Sequence, residues 1–104
     1  MYSIIFKKMT DDYRIKKVNE KIDIRRMIGT DKGHTETIYL SDELLLFYNF
    51  EKLEELKQMT GRVVDRNNDL SFFCGDFVVV RILEDKLSNI TDEDLEYVKN
   101  NVIL

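Results

Sequence analysis

The residues that could act most directly in catalysis are Cys74 and His34, the only cysteine and the only histidine of the chain. A nucleophilic thiolate needs a base nearby and an electropositive, partly exposed environment. The two residues stand far apart in the sequence, and no spacing pattern joins them. Cys74 lies between Phe73 and Gly75, where a small buried core residue is the commoner interpretation. We therefore predict no catalytic residues and expect a protein that is not an enzyme.

A second candidate for chemistry is the stretch Asp65-Arg66-Asn67-Asn68-Asp69. Its Asp-x-Asn-x-Asp spacing matches the first three ligand positions of a calcium-binding loop, and Asp76 falls at the twelfth. Such a loop needs a glycine at its sixth position, where this chain has Leu70. Asp and Asn are also frequent in turns, because their side chains bond to their own main chain. The stretch is therefore interpreted as a turn, and we expect no metal site and no other cofactor.

Charged side chains are the remaining candidates for binding. Residues 1–35 carry nine Lys and Arg against five Asp and Glu, whereas residues 36–104 carry seven against fifteen. The net charge of −4 and the lack of a recognisable module argue against direct nucleic-acid binding, and the four glycines form no phosphate-binding loop. The residues singled out for binding, with no shared site to join them, are Arg25, Arg26, Arg62, Arg66, Asp76, Glu93 and Asp94.

Length and composition indicate one soluble globular domain over residues 1–104. Apolar residues make up 43% of the chain and charged residues 35%, which is too apolar for a disordered protein. No apolar run approaches the roughly 20 residues of a membrane span, and residues 1–12 are too quickly charged for a signal peptide. A single cysteine fits a reducing compartment. We expect a cytoplasmic protein that does not enter a membrane.

The first half of the chain alternates between strand and helix patterns. Residues 2–6 and 13–18 are typical of a β-hairpin, and Asn19 can cap a short helix that ends at Gly29. A strand is predicted over residues 34–40. Residues 41–60 allow two interpretations: a strand over 44–49 followed by a helix over 51–59, which we favour, or one helix beginning at Ser41.

The second half contains the most apolar run of the chain. Residues 72–74 and 77–82 have the strongest strand pattern, and an uninterrupted apolar run suits a strand covered on both faces in the centre of a sheet. Gly75 is expected to mark a bulge at the start of that strand, and Val63-Val64 to form a partner strand. Thr91 and Asp94 form a capping box for a last helix. The order of elements predicts an α+β fold, a mainly antiparallel sheet of about five to six strands with two or three short helices.

Six segments carry a family resemblance through their order and spacing: Ile24 to Gly29, Glu36 to Leu40, Leu44 to Asn49, Asp65-Arg66, Gly75 to Val80 and Thr91 to Leu95. Together they resemble a family of small uncharacterised domains of unknown function, common in phages, plasmids and Firmicutes. The resemblance covers roughly residues 20–102. The family has no established chemistry to carry over to any residue. It implies a mobile-element or phage origin, where very small non-enzymatic proteins often bind and disable host factors.

Two functions are therefore carried forward. The first is a small non-enzymatic binding protein whose partner is a host protein, such as a defence effector that it inhibits in the manner of anti-CRISPR or other anti-immune proteins. The alternative is a homodimer that sequesters a small molecule or nucleotide signal, with Arg62 or Arg66 on the phosphates and Tyr13, Tyr39 or Tyr48 on a base. Two copies could pair through residues 2–8 as an edge strand, although the charges of Lys7 and Lys8 would discourage such pairing.

Overall fold

The apolar run that follows Gly75 is the middle strand of an antiparallel sheet. The computed structural model describes residues 1–19, 21–29, 35–51 and 58–104. Within them the strand order of the main sheet is β2-β1-β7-β4-β3, with β8 also paired to β7, and β5 and β6 form a second, two-stranded sheet. The elements are β1 (Tyr2–Lys7), β2 (Tyr13–Val18), α1 (Lys21–Met27), β3 (Thr35–Tyr39), β4 (Leu44–Asn49), β5 (Gly61–Val64), β6 (Leu70–Phe73), β7 (Phe77–Leu83), β8 (Lys86–Ser88) and α2 (Asp92–Asn101).

This architecture confirms the predicted α+β class and the central position of the apolar strand. Every strand pair is antiparallel. Successive side chains of β7 point to opposite faces of the sheet, as strand geometry requires. Phe77 and Val79 join the core cluster that includes Val98 of α2 and Phe73 of β6. The alternate residues of β7 belong to a second cluster on the face covered by α1. Both faces of β7 are therefore buried.

The second sheet packs on the same face of the main sheet as α2. Val63 and Phe73 point inward from β5 and β6, and both are buried. Gly61 stands directly opposite Phe73. A Cβ atom on Gly61 would lie 2.5 Å from Cε2 of Phe73 and closer still to its Cζ, so the aromatic ring occupies the space that a side chain would need. A glycine at this position lets the ring of Phe73 pass under β5 into the core.

The expected bulge at Gly75 is wrong. Gly75 has φ of 76°, a left-handed conformation that favours glycine, and it lies between β6 and β7. Those two strands belong to different sheets. The sequence of residues 72–82 has the pattern of one interrupted strand. In the structure the chain turns at Cys74-Gly75-Asp76 and passes from the second sheet into the main one.

Three further details differ from the sequence-based expectations or lie beyond them. Strand β1 is an interior strand between β2 and β7, so the expected edge strand over 2–8 is wrong. The short strand β8 was not predicted. The predicted helix over 51–59 falls largely on residues 52–57, outside the described part of the chain. Gly61 begins β5.

The last helix begins as the sequence predicts. The Thr91 side chain accepts a hydrogen bond from the main-chain N–H of Asp94, and the Asp94 side chain accepts one from the N–H of Thr91. These reciprocal bonds satisfy two donors that the first turn of a helix would otherwise leave unpaired. No helix in the described ranges is long and apolar enough to cross a membrane.

Candidate protein-binding site

The outer face of the second sheet exposes large apolar side chains. Because side chains alternate along a strand, the residues next to buried Val63 and Phe73 must point away from the core. Val64 is 47% exposed, Leu70 54% and Phe72 47%. Val64 stands directly opposite Leu70 in the strand pairing, so their side chains are neighbours on this face. Single exposed apolar residues are common, whereas a contiguous exposed group of them is a feature typical of interaction surfaces.

The segment after α2 extends this surface along the other side of β5. Arg62 donates its main-chain N–H to the carbonyl of Ile103 at 2.8 Å and accepts from the N–H of Ile103 at 2.9 Å. The side chains of Ile103 and Met59 are about half exposed. A shallow depression of about 310 Å³ lies among Met59, Thr60, Gly61, Arg62, Phe72, Ile103 and Leu104. We call the exposed group Met59, Val64, Leu70, Phe72 and Ile103 the apolar outer face.

Arg62 lies within the apolar outer face. It stands directly opposite Phe72 in the pairing of β5 with β6, and it is exposed. Its side chain makes no ion pair with any residue in the described part of the chain. Arginine and large aromatic residues are the types most enriched at protein–protein interfaces and among the residues that contribute most to binding. Of the predicted binding residues, Arg62 is the one placed on such a surface.

Arg66 is used within the chain. Its guanidinium stacks over the ring of Tyr39, 4.0 Å from the ring centroid, and Nη1 lies 3.4 Å from a carboxylate oxygen of Asp42. The main-chain N–H of Arg66 donates to the carbonyl of Tyr39 at 2.8 Å. These contacts tie the turn between β5 and β6 to the end of β3. The position of Arg66 therefore orients the second sheet on the main sheet.

The turn that precedes β6 is organised by Asp65, as the sequence interpretation predicts. One carboxylate oxygen of Asp65 accepts from the N–H groups of Asn67 at 2.9 Å and Asp69 at 3.1 Å, and the other accepts from the Ser71 hydroxyl at 2.9 Å. Asn68 takes the left-handed conformation with φ of 63°. No group of three or more His, Cys, Asp or Glu side chains within the described residues is placed to hold a metal ion.

Replacing Asp65 by alanine is expected to destabilise the protein more at neutral pH than in acid. Hydrogen bonds from Asp69 N–H and the Ser71 hydroxyl are the main reasons that the pKa of Asp65 lies below its ordinary value of 3.8. A carboxylate with a lowered folded pKa contributes stability above its unfolded pKa and loses it as the pH falls through the folded value. Urea unfolding of D65A and the unaltered protein at about pH 7 and about pH 2.5 measures this. A loss of stability in D65A that is as large in acid as at neutral pH would contradict the prediction, and S71A should show a smaller version of the pH-dependent loss.

Asp76 and the two acidic residues of α2 have different environments. Asp76 accepts a hydrogen bond from the Met9 N–H at 2.9 Å and so ties the start of β7 to the turn after β1. Glu93 is exposed. Asp94 is buried, and its carboxylate oxygens lie 3.0 and 3.2 Å from Nη1 of Arg81. The structure does not bring Glu93 and Asp94 together as one acidic patch, because one faces solvent and the other faces Arg81.

Arg25 and Arg26 lie on the opposite side of the main sheet from Arg62. They belong to the last turn of α1, whose buried face packs in the core cluster on the far side of β7 from the second sheet. Arg25 lies at the rim of a groove of about 200 Å³, together with Ile24, Thr35, Thr37, Phe47, Val80, Ile82 and Leu87. The arginines predicted for binding are therefore distributed over two faces of the protein.

Cys74 is placed as a core residue. Its side chain is fully buried, and Sγ lies 3.8 Å from the main-chain carbonyl of Asn49. Burial raises the pKa of the Cys74 thiol, because the charged thiolate is poorly solvated there. The thiol is thus held in its protonated form at neutral pH. His34, the other candidate for catalysis, lies outside the described residues.

Sequence reasoning singled out Arg62 but not the exposed apolar residues around it. The available signal was the two-residue period of a half-buried strand: in Leu70-Ser71-Phe72-Phe73, only one of two adjacent phenylalanines can face the core. The pattern alone does not say which one, since the run continues into Cys74. No family model, no curated protein and no solved structure matches this chain. The family resemblance over residues 20–102 therefore stays a prediction.

Proposed function

We propose that this protein is a small non-enzymatic binding protein that docks a partner protein on its apolar outer face. The observation that carries the proposal is the contiguous exposure of Val64, Leu70 and Phe72 around Arg62. The partner is a protein with an apolar surface of matching extent and a carboxylate opposite Arg62. On the resemblance described above, it is a host protein, and docking inhibits it, as expected of a phage or mobile-element protein directed at a defence effector.

The chemistry of the surface supports a protein rather than a nucleic acid as partner. Phe72 and Leu70 offer rigid apolar area, which gains free energy when it leaves water. Arg62 has no competing ion pair among the described residues, so its guanidinium is available for a two-pronged bond to a carboxylate. A phosphate backbone would need a basic stripe. The side chains of β5 and β6 supply one arginine and no lysine.

The placement of the aromatic residues favours this function over sequestration of a small nucleotide. Tyr13 packs at the edge of the Phe77 ring, with centroids 6.0 Å apart, and Tyr48 is buried against Phe73. Burial raises the pKa of both phenols. Tyr39 is stacked by Arg66. None of the three rings shares a described cavity with Arg62 or Arg25.

A photo-crosslinking residue at position 72, introduced into the protein in host cells, tests the proposal. We expect one host protein, distinct from the chain itself, to be captured from position 72 and not from position 15, because Ile15 has a similar exposure of 48% but lies on β2 of the main sheet. The captured protein is then purified and titrated with the unaltered chain. Binding should weaken at least about tenfold in F72A and in R62E, while I15A binds normally.

The activity of the captured protein provides the second half of that test. If docking is inhibitory, adding the unaltered chain lowers this activity and adding R62E does not. Equal binding of F72A, R62E and the unaltered chain would overturn the proposed surface. Failure to capture any host protein at position 72, or an activity unaffected by saturating binding, would overturn the proposed function.

A further inference from the structure

The edges of the two sheets differ in how they are protected. The edge strands of the main sheet carry charges: Arg14, Lys16 and Lys17 on β2, and Glu36 on β3. The short strand β8 carries Lys86. Charged side chains on an edge strand discourage pairing with another chain. Strand β6, with the sequence Leu70-Ser71-Phe72-Phe73, has no charged residue and no proline.

The alternation of hydrogen bonds along β6 leaves its outer edge without a main-chain partner among the described residues. The N–H of Asp65 donates to the carbonyl of Asp69, so the pairs that exchange bonds between β5 and β6 are those in phase with it. Arg62 lies between two of these bonded pairs, and its N–H and C=O groups bond to Ile103 instead of to β6. By the same alternation, the N–H and C=O groups of Leu70 and Phe72 point away from β5. They have no main-chain partner among the described residues.

We propose that β6 pairs with β6 of a second copy of this chain, antiparallel and about a twofold axis at Ser71. That axis sets Leu70 opposite Phe72 of the second copy, and both of these residues have outward-pointing main-chain groups. The two strands can therefore exchange four hydrogen bonds without any change in β5. Twofold pairing of identical surfaces is the commonest form of protein self-association.

The side chains and charges of β6 favour β6 of a second copy as the strand that pairs with it. Leu70 and Phe72 lie on the same outer face, so pairing brings each apolar side chain against its counterpart on the second copy and removes the contacting part of both from water. In this register Asp69 falls opposite Phe73 of the second copy, and no acidic residue faces its own equivalent. The product is a four-stranded sheet that joins the two apolar outer faces. This inference is independent of the proposed function, since it concerns the purified chain alone.

Sedimentation of the purified chain, from about 5 to about 500 µM, tests the pairing by mass action. We expect a monomer at the lowest concentration and a dimer at the highest. Two double variants distinguish strand pairing from general apolar association. L70K/F72K and L70E/F72E should each remain monomeric, because like charges then face each other, whereas an equimolar mixture should form a mixed dimer. I15K, with its charge on β2, should dimerise like the unaltered chain.

Amide hydrogen exchange of the unaltered protein gives a readout that does not depend on any variant folding. Exchange at Leu70 and Phe72 should slow as the concentration rises, while Ser71, already bonded to β5, should be protected throughout. The proposal is overturned by a chain that stays monomeric at every concentration, by dimers that persist in L70K/F72K, or by Leu70 and Phe72 amides that exchange freely in the dimer. A mixture of the two double variants that stays monomeric would equally overturn the register.

Discussion

Replacing Phe73 by alanine is expected to lower the free energy of unfolding by about 3–5 kcal/mol, the range for removing a fully buried aromatic side chain. The ring has no exposed surface, and it lies edge-on to Phe77 with centroids 4.8 Å apart. It also contacts Tyr48, with centroids 6.3 Å apart. The loss of the ring leaves a cavity at the junction of the two sheets, which the neighbouring strands cannot fill by shifting slightly.

The adjacent residue provides a matched control for this prediction. Phe72 is of the same type, belongs to the same strand and is about half exposed, so F72A should change stability by only about 0.5 kcal/mol. Urea unfolding of the two variants, followed by tyrosine fluorescence and circular dichroism at one protein concentration, compares them directly. Similar losses of stability in F72A and F73A would mean that the inward and outward faces of β6 are assigned incorrectly.

Replacing Asp94 by alanine is the second substitution with a large expected effect, a loss of about 3 kcal/mol. The Asp94 side chain is 8% exposed and that of Arg81 is 23% exposed, with 3.0 Å between the paired atoms. Removing one member of a buried ion pair leaves the other charge without its partner, which is strongly destabilising. The same carboxylate also accepts from the N–H of Thr91, so the variant loses the capping box. The contact of Arg81 with Glu43 at 2.8 Å keeps the expected loss at the lower end of the range.

Three variants separate the contributions at this position. E93A changes the neighbouring, exposed acid of the same helix turn and should cost less than about 0.5 kcal/mol. R81M should also destabilise the protein, and the double variant R81M/D94A should lose less than the sum of the two single changes, because neither charge is then left unpaired. Thermal unfolding at fixed pH and salt measures all four. Additive losses would show that the two side chains do not act as a pair.

The arrangement separates two tasks between the two sheets. The main sheet, with helices α1 and α2 on its faces, supplies most of the buried core. One side of the second sheet packs on that core through Val63 and Phe73. Its other side presents the apolar outer face. Because the inner side already holds the hairpin in place, the outer side can change its side chains with little effect on folding, and a surface free of folding constraints is suited to recognising a partner.

Elements that depend on neighbouring residues were predictable from the sequence. Thr91 and Asp94 lie three residues apart and can satisfy each other only at a helix start, so their bonds follow from their types and spacing. The Asp65 turn follows from the tendency of Asp to bond to its own main chain. The apolar run over 77–82 had to be buried on both faces, because exposing either would leave large apolar area in water.

Pairings between distant residues were decided only by the tertiary structure. Strand β7 pairs with β1, about seventy residues earlier in the chain, and this pairing turns an expected edge strand into an interior one. The bend at Gly75 separates β6 from β7, and no local pattern distinguishes such a crossing from a bulge. Which of Phe72 and Phe73 faces the core likewise depends on the sheet beneath β6. Local hydrogen bonds and burial determined by themselves what the elements are, whereas long-range packing decided which of their faces stays in water.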